Sequence, residues 1–529
     1  MIMKRIFTSI VFILNLSFFA QAQTVTYAEH IAPIIYSHCT SCHRAGEIGP
    51  FSLSNYSEVK AQDGLIKYAT SIQYMPPWKA DPTYQQYQKV NILSASDIQL
   101  ISDWVTQGSV RGDSTLEPAL PVFPTGSLVG VPDLTISFAK SHTIVGNNTD
   151  EYRYFVIPTG LTQDKDLIAL EMRPGNTSMV HHALFWADTT GSAAAADAAT
   201  PEYGYAGNTQ QVLLGGNLNK QLPTYVPGQK PTVLSNGIAH RIKAGSDLQV
   251  QIHYAPSPVL TSDSSSFNLF FASTPATRYV KNHVMIPFFG TLVAPYTQFT
   301  IPANQKREFH GVYTMPENAS MISTMPHMHR LGTNWKVYAV KPNGDTVPLV
   351  KIDSWDFNWQ SNYDFKRMIN LPQGTKIHAF AGYDNTTGNI NNPNNPPQTI
   401  TWGENTDEEM YWLPLQWVSY QAGDENIDLE PTSIQEANFY PIKNKLYPVY
   451  PNPTSNGVKA GFSLNDAGRI NLKLYNLNGE VVSTLANNQM YMSGVHTVDI
   501  DLSHLASGVY ALQLETRGER QIQRIVVAK

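Results

Sequence analysis

The sequence predicts a multidomain chain: a small, mostly α-helical N-terminal domain, a long region of antiparallel β-sandwich, and a small all-β module at the C-terminus. Three observations carry this reading. A chain of 529 residues exceeds what one hydrophobic core serves, so about three domains are expected. The stretch "SASDIQLISDWVTQG" has helical periodicity in Ile98, Leu100, Ile101, Trp104 and Val105, with Ser96 as the expected cap and Gly108 as the stop. From about Gly130 to Tyr440 the pattern changes to short alternating runs such as "EYRYFVIP", "DLQVQIHYAP" and "NWKVYAVKP", punctuated by Pro, Gly and Asn; these read as closely spaced strands of β-sandwiches.

Composition sets further bounds. A 42% hydrophobic and 11% aromatic content suits packed β-domains. Lys+Arg of 36 against Asp+Glu of 42 leaves a formal charge of −6, and no basic run occurs, which argues against nucleic acid as a partner. At the N-terminus, Lys4 and Arg5 precede an apolar run that ends in Ala20-Gln21-Ala22. This pattern predicts a secretory signal over residues 1–22, too short for a span, and no other segment is apolar enough to cross a bilayer once it is removed. The helical domain then occupies residues 23–113, and the proline-spaced "DSTLEPALPVFPTG" opens a linker over 114–129. From residue 447 to 529 the runs "INLKLYNLNGEVV" and "GVYALQLETRGERQIQRIVVAK" predict a separate all-β module, with Asn478-Gly479 as a hairpin turn.

An exported chain is free to use disulfides, yet this one has two cysteines, both in "CTSCH". Cys39, Cys42 and His43 form C-x-x-C-H, the attachment pattern of a covalently bound c-type haem, in which the thiols bond the haem edge and the histidine sits under the iron. Met75, in "YMPPW", is the expected second axial ligand; His/Met ligation makes an electron-transfer haem of raised potential. The segment resembles small bacterial cytochrome c domains in which "MPPW" follows the attachment site.

Further along, "TMPHMHRLG" sets His327 and His329 one residue apart. On a strand these two face one side and Met328 the other, so the histidines can share one ion while Met328 is excluded. "MVHHALFW" contributes His181 and His182, which diverge on a regular strand and share a metal only across a bend or bulge. His253 ends the apolar run of "DLQVQIHYAP", and Met410 lies in the polar loop of "WGENTDEEMYW". Imidazole suits both oxidation states of copper, and a thioether favours Cu(I).

The order HH, strand-IHY, HMHRLG and T-x-E-E-M resembles the type II copper, ascorbate-dependent monooxygenases, the peptidylglycine and dopamine hydroxylases. The resemblance implies two tandem antiparallel β-sandwiches, over 130–285 and 286–440, with one copper on each and solvent between. His181, His182 and His253 match the family's three-histidine electron-transfer copper; His327, His329 and Met410 match its oxygen-binding copper. The implied chemistry is hydroxylation of a C–H bond of a small organic or peptide-like substrate by O2. An ascorbate-like reductant or a redox protein donates electrons, and the fused haem domain is an expected route for them. Two copper ions and one haem c are the expected cofactors. The weighed alternative is a non-catalytic secreted haem and copper protein that transfers electrons or binds copper. Where peptidylglycine enzymes hold an arginine for a peptide carboxylate, this chain has Met325, and where they hold a tyrosine past the ligand methionine it has Pro414; both argue against peptide amidation.

The final segment, with "YPNPTSNG", "LYNLNGEVV" and "ASGVYALQLE", resembles the C-terminal sorting domains of the type IX secretion system in Bacteroidetes. That resemblance implies passage through the periplasm, engagement of the secretion machinery, and a secreted or cell-surface location.

Overall fold

The computed structural model describes residues 24–121, 127–207, 221–429, 444–446, 449, 452–464, 468–491, 494–516 and 519–529. The expected signal peptide lies outside the described residues. The chain divides into two compact units, residues 1–77 with 91–122, and residues 78–90 with 123–529.

The first unit is helical. A π-helical turn Tyr27–Ile31 runs into the helix Ala32–His38, followed by helices Tyr56–Ala61, Asp63–Ser71 and Ala95–Thr106. Tyr27, Ile31, Ile35, Val59, Ile66, Ile101 and Trp104 close its core. The last helix begins earlier than its apolar pattern implies. Ser94 rather than Ser96 is the cap, because Asp97 stands three residues on and completes a reciprocal capping box with it.

The second unit is built of β-sheets. One sheet runs in the order Leu134–Ser137, Ser266–Phe271, Lys165–Arg173, Ile238–Ile242, Arg278–Tyr279, and is antiparallel except for its last pair. A three-stranded antiparallel sheet, Glu151–Pro158, Asp247–Tyr254, Val180–Asp188, shares a core with it through Phe155, Leu170, Phe185, Val250, Ile252 and Phe267. Period two decides what each strand of that second sheet presents. In Asp247–Tyr254, Leu248, Val250, Ile252 and Tyr254 enter the core, which leaves Gln249, Gln251 and His253 on the opposite face.

Two four-stranded sheets follow: Lys281–Met285, Leu413–Ser419, Ala319–Thr324, Tyr363–Leu371; and Gln305–Thr314, Lys376–Asn385, Gly332–Val340, Thr346–Ile352. They enclose a core that includes Phe309, Trp335, Leu349, Phe365, Leu413 and Trp417. The strand Lys281–Met285 pairs with Leu413–Ser419, so this region starts inside the stretch 130–285 assigned to the preceding one. At the C-terminus, Leu472, Leu474, Leu512, Leu514 and Phe462 close a further core between a three- and a four-stranded sheet. Asn478-Gly479 turns the expected hairpin there, with Gly479 at φ +81°. Among the described residues no helix is long and apolar enough to cross a membrane.

Candidate metal centre

The three-strand sheet supplies the first histidine set. Between Val180 and His182 the pairing with Asp247–Tyr254 slips: Val180 lies opposite Tyr254 and His182 opposite His253. His181 is therefore the extra residue of a bulge, the distortion that lets adjacent histidines turn to one side. His181 Nδ1 lies 3.2 Å from His182 Nδ1 and 3.1 Å from His253 Nδ1. One ligand atom from each ring falls within 4.8 Å of the others.

The second set lies in the segment after strand Ala319–Thr324. It is not a continuous strand, as alternation alone had it. His327 makes an isolated antiparallel bridge with Trp412, its N–H donating to the Trp412 carbonyl at 2.8 Å. The His327 and His329 rings nonetheless stand together, their centroids 5.2 Å apart. Met328 is fully buried in the neighbouring core, where it takes no part. Met410 is buried, and its carbonyl accepts the Tyr383 hydroxyl at 2.8 Å. Glu409 locks the two segments to each other. Its carboxylate accepts the backbone N–H of His329, of Leu331 at 2.9 Å and of Met410 at 2.8 Å. Burial raises the Glu409 carboxyl, and these donors pull it back toward the charged form.

The orienting bonds leave particular nitrogens open. His253 Nε2 meets Asp150 Oδ1 at 2.6 Å, which frees its Nδ1 for the histidine cluster. His327 Nδ1 meets Gln360 Oε1 at 2.5 Å and His329 Nδ1 faces the Glu408 carbonyl at 3.3 Å, so both present Nε2. Burial is the main cause that lowers all five imidazoles, to about 3 for His181 and His327 and about 4 for His329; neighbouring histidines add to it for four of them, whereas Asp150 opposes it at His253, and neutral rings have lone pairs available. A convergence of uncharged imidazole nitrogens with lone pairs to offer fits a metal ion, and a methionine thioether lining the same cleft as two imidazoles fits copper better than zinc.

The two sets are not kept apart by solvent, as the resemblance implies. The His182 and His327 rings are 5.8 Å apart. His182, His327, His329, Met325 and Met410 line one cleft, together with Tyr152, Leu184, Gln251, Glu404 and Trp412. Gln251 donates to Glu404 at 3.1 Å, so the cleft has one acidic wall among mostly apolar and aromatic ones. Met325 points its sulfur at the Thr224 hydroxyl, 3.1 Å away, and offers no cation for a carboxylate.

Sequence patterns did not mark Asp150, Gln360, Phe357 or Glu404. Glu409 had a signal, the acid adjoining Met410 in "DEEM". Asp150 should respond first to mutation: Asp150→Ala removes the acceptor that fixes the His253 tautomer. A fall of about 10- to 100-fold in Cu(I) affinity is expected, measured against a colorimetric Cu(I) chelator. Unchanged affinity would show that Asp150 does not orient the ring.

In the helical unit Cys39 and Cys42 are not disulfide-bonded. His43 Nδ1 lies 3.1 Å from the Phe51 carbonyl, which leaves Nε2 as the open nitrogen. Gly49 approaches so closely that a Cβ would stand 2.7 Å from the Cys42 carbonyl and 2.8 Å from His43 Nδ1. The residues fit a haem peptide on these grounds. Met75 is half-buried after the helix Asp63–Ser71.

None of the curated proteins matches the chain. Solved structures match at a level that carries no argument. A β-glucuronidase of Faecalibacterium prausnitzii aligns at 12% identity over 42% of this chain and 37% of its own, with a TM-score of 0.13. A β-D-glucuronidase of Dictyoglomus thermophilum aligns at 9% over 46% and 43%, TM-score 0.16. The VP2 subviral particle of infectious bursal disease virus aligns at 8% over 55% and 72%, TM-score 0.16. The chain thus spans well under half of either glucuronidase. Residues 448–528 match the family described as the secretion system C-terminal sorting domain. The C-terminal module is therefore a type IX sorting domain that engages that machinery, and the protein is exported, to be secreted or held at the cell surface.

Proposed function

We propose that this protein is an exported copper-dependent monooxygenase that hydroxylates a C–H bond of a small substrate with O2, built on two tandem β-sandwiches and carrying a c-type haem domain as electron donor. One observation carries the reading: six side chains from four separate sequence segments, five imidazoles and one thioether, gather about one cleft that His182, His327, His329 and Met410 line and that His181 and His253 adjoin through His182, with three of the imidazoles oriented by outer partners. Copper bound to such donors supplies one-electron chemistry and oxygen activation. The chain's own residues do the rest. His181, His182 and His253 hold one ion, and His327, His329 and Met410 the other. Tyr152, Leu184 and Trp412 wall the cleft and exclude water, while Glu404 and Gln251 offer polar contacts to a substrate. Cys39, Cys42 and His43, with Met75, hold the haem.

Metal analysis with oxygen uptake tests this. Two coppers and one haem per chain are expected, with ascorbate-driven uptake coupled to hydroxylated product. Met410→Ala should lower turnover at least about 100-fold while copper at the three-histidine site persists. Copper absent from protein purified and reconstituted with it would end the reading. Copper present without product formation would favour the electron-transfer alternative.

A further inference from the structure

Residues Trp78–Val90 fall within the stretch 23–113 assigned to the helical domain, yet they belong to the β-sheet unit. They lie along the open edge of the strand Tyr363–Leu371. Tyr87 bridges Phe365, Gln88 N–H donates to the Asp364 carbonyl at 2.8 Å, and Lys366 N–H donates to the Gln86 carbonyl at 3.0 Å. The segment also grips the preceding strand, Thr346–Ile352. Asp81 N–H donates to the Lys351 carbonyl at 2.8 Å and the Tyr87 hydroxyl to the Leu349 carbonyl at 3.0 Å. Between these two strands runs the loop of residues 353–362, so the segment fastens both ends of that loop. It also reaches the loop's middle, where Lys79 Nζ pairs with Asp356 Oδ2 at 3.4 Å. Trp78 packs edge-on against Tyr363 at 5.4 Å, where the chain leaves the loop.

What the loop carries is the reason this matters. Phe357 stacks on His181, centroids 5.2 Å apart at 27°, and stands edge-on to His329 at 5.8 Å. Gln360 orients His327, and its amide donates to the Phe357 carbonyl at 2.8 Å. Trp355 Nε1 donates to the His329 carbonyl at 3.1 Å. One short loop therefore touches ligands of both histidine sets. We propose that Trp78–Val90 is a strap that holds loop 353–362 against the two histidine sets, making Trp78 and Lys79 positioning residues that act on the metal centre through Phe357 and Gln360. The metal-centre half of this rests on the copper reading; the strap half does not.

The test uses the full chain with two variants. Lys79→Met removes the ion pair to Asp356 and keeps most of the side chain's apolar stem. Trp78→Ala removes the aromatic anchor. In the metal-free protein, amide hydrogen exchange across 353–362 should accelerate about tenfold or more in both, while the thermal midpoint of Lys79→Met stays at the wild-type value. After copper loading, the Cu(II) EPR signal of each variant should differ from wild type, and Cu(I) affinity should drop about tenfold. Exchange that is unchanged in both variants overturns the strap, whatever copper does. Accelerated exchange with an unaltered EPR signal and affinity overturns its action on the centre. Failure of wild-type protein to bind copper would instead count against the proposed function and leave the exchange result standing.

Discussion

Glu409→Ala is expected to destabilise the protein by on the order of 4 kcal/mol and to empty the His327–His329–Met410 site. The reason is the carboxylate's position. Glu409 is fully buried, and its two oxygens accept backbone N–H groups from His329, Leu331 and Met410. Each donor stranded without a partner costs about 1–3 kcal/mol, and alanine strands all of them at once. The same bonds hold the "HMH" turn to the segment bearing Met410, so the ligands lose their mutual placement along with the stability. Glu409→Gln keeps one acceptor and turns the other oxygen into an amide that confronts an N–H, so its loss should be smaller but real. Thermal unfolding followed by tryptophan fluorescence, with copper counted on the same samples, reads both effects. A midpoint for the alanine variant within about 2 °C of wild type, where roughly 10 °C is expected, would show that water replaces the carboxylate without cost.

That pivot shows what the sequence made legible. The candidate ligands were readable as a set, from the family order of their motifs rather than from any one of them, and His181-His182 cannot share a side without the bulge that the register does contain. The all-β character followed from alternation, and the sorting module from the resemblance of "YPNPTSNG", "LYNLNGEVV" and "ASGVYALQLE" to such domains. What stayed hidden depends on chain packing rather than on local pattern. The closeness of His182 to His327 is set by how two sheet regions face each other, which no period encodes. Phe357 and Gln360 lie in "SWDFNWQ", aromatic and polar without rhythm. The strap "WKADPTYQQYQKV" has no strand-like alternation. Its backbone pairs through only a few bonds at a sheet edge, and its burial comes from Tyr87 and Ala80. Ser94 caps the helix through its pairing with Asp97, a polar partner that the apolar run from Ile98 to Val105 does not reveal.

Asp424→Ala should cost about 3–5 kcal/mol at neutral pH, because it leaves a buried guanidinium without its counter-ion. Arg278 Nη1 meets Asp424 Oδ2 at 2.6 Å, and both side chains are buried. The Ser320 hydroxyl donates to the same oxygen at 2.5 Å and the Gln421 N–H at 2.9 Å. Burial alone would raise the Asp424 carboxyl, but Arg278, Ser320 and Gln421 together hold it below its ordinary 3.8. A depressed carboxylate stabilises the fold above its unfolded pKa, and that contribution disappears as pH falls through the folded value. The gap in thermal midpoint between wild type and Asp424→Asn should therefore be full at pH 7 and shrink below about pH 4. Arg278→Met combined with Asp424→Leu should recover much of the loss, since no charge is then buried alone. Arg278 lies in the strand Arg278–Tyr279 that closes the first sheet, whereas Asp424 follows the strand Leu413–Ser419 of the next region. The pair thus fastens the two regions whose apposition brings His182 to His327, and copper retention in Asp424→Ala should fall together with stability. An equal gap at pH 3 and pH 7, or a double variant no better than Asp424→Ala, would mean that the ion pair is not what holds this junction.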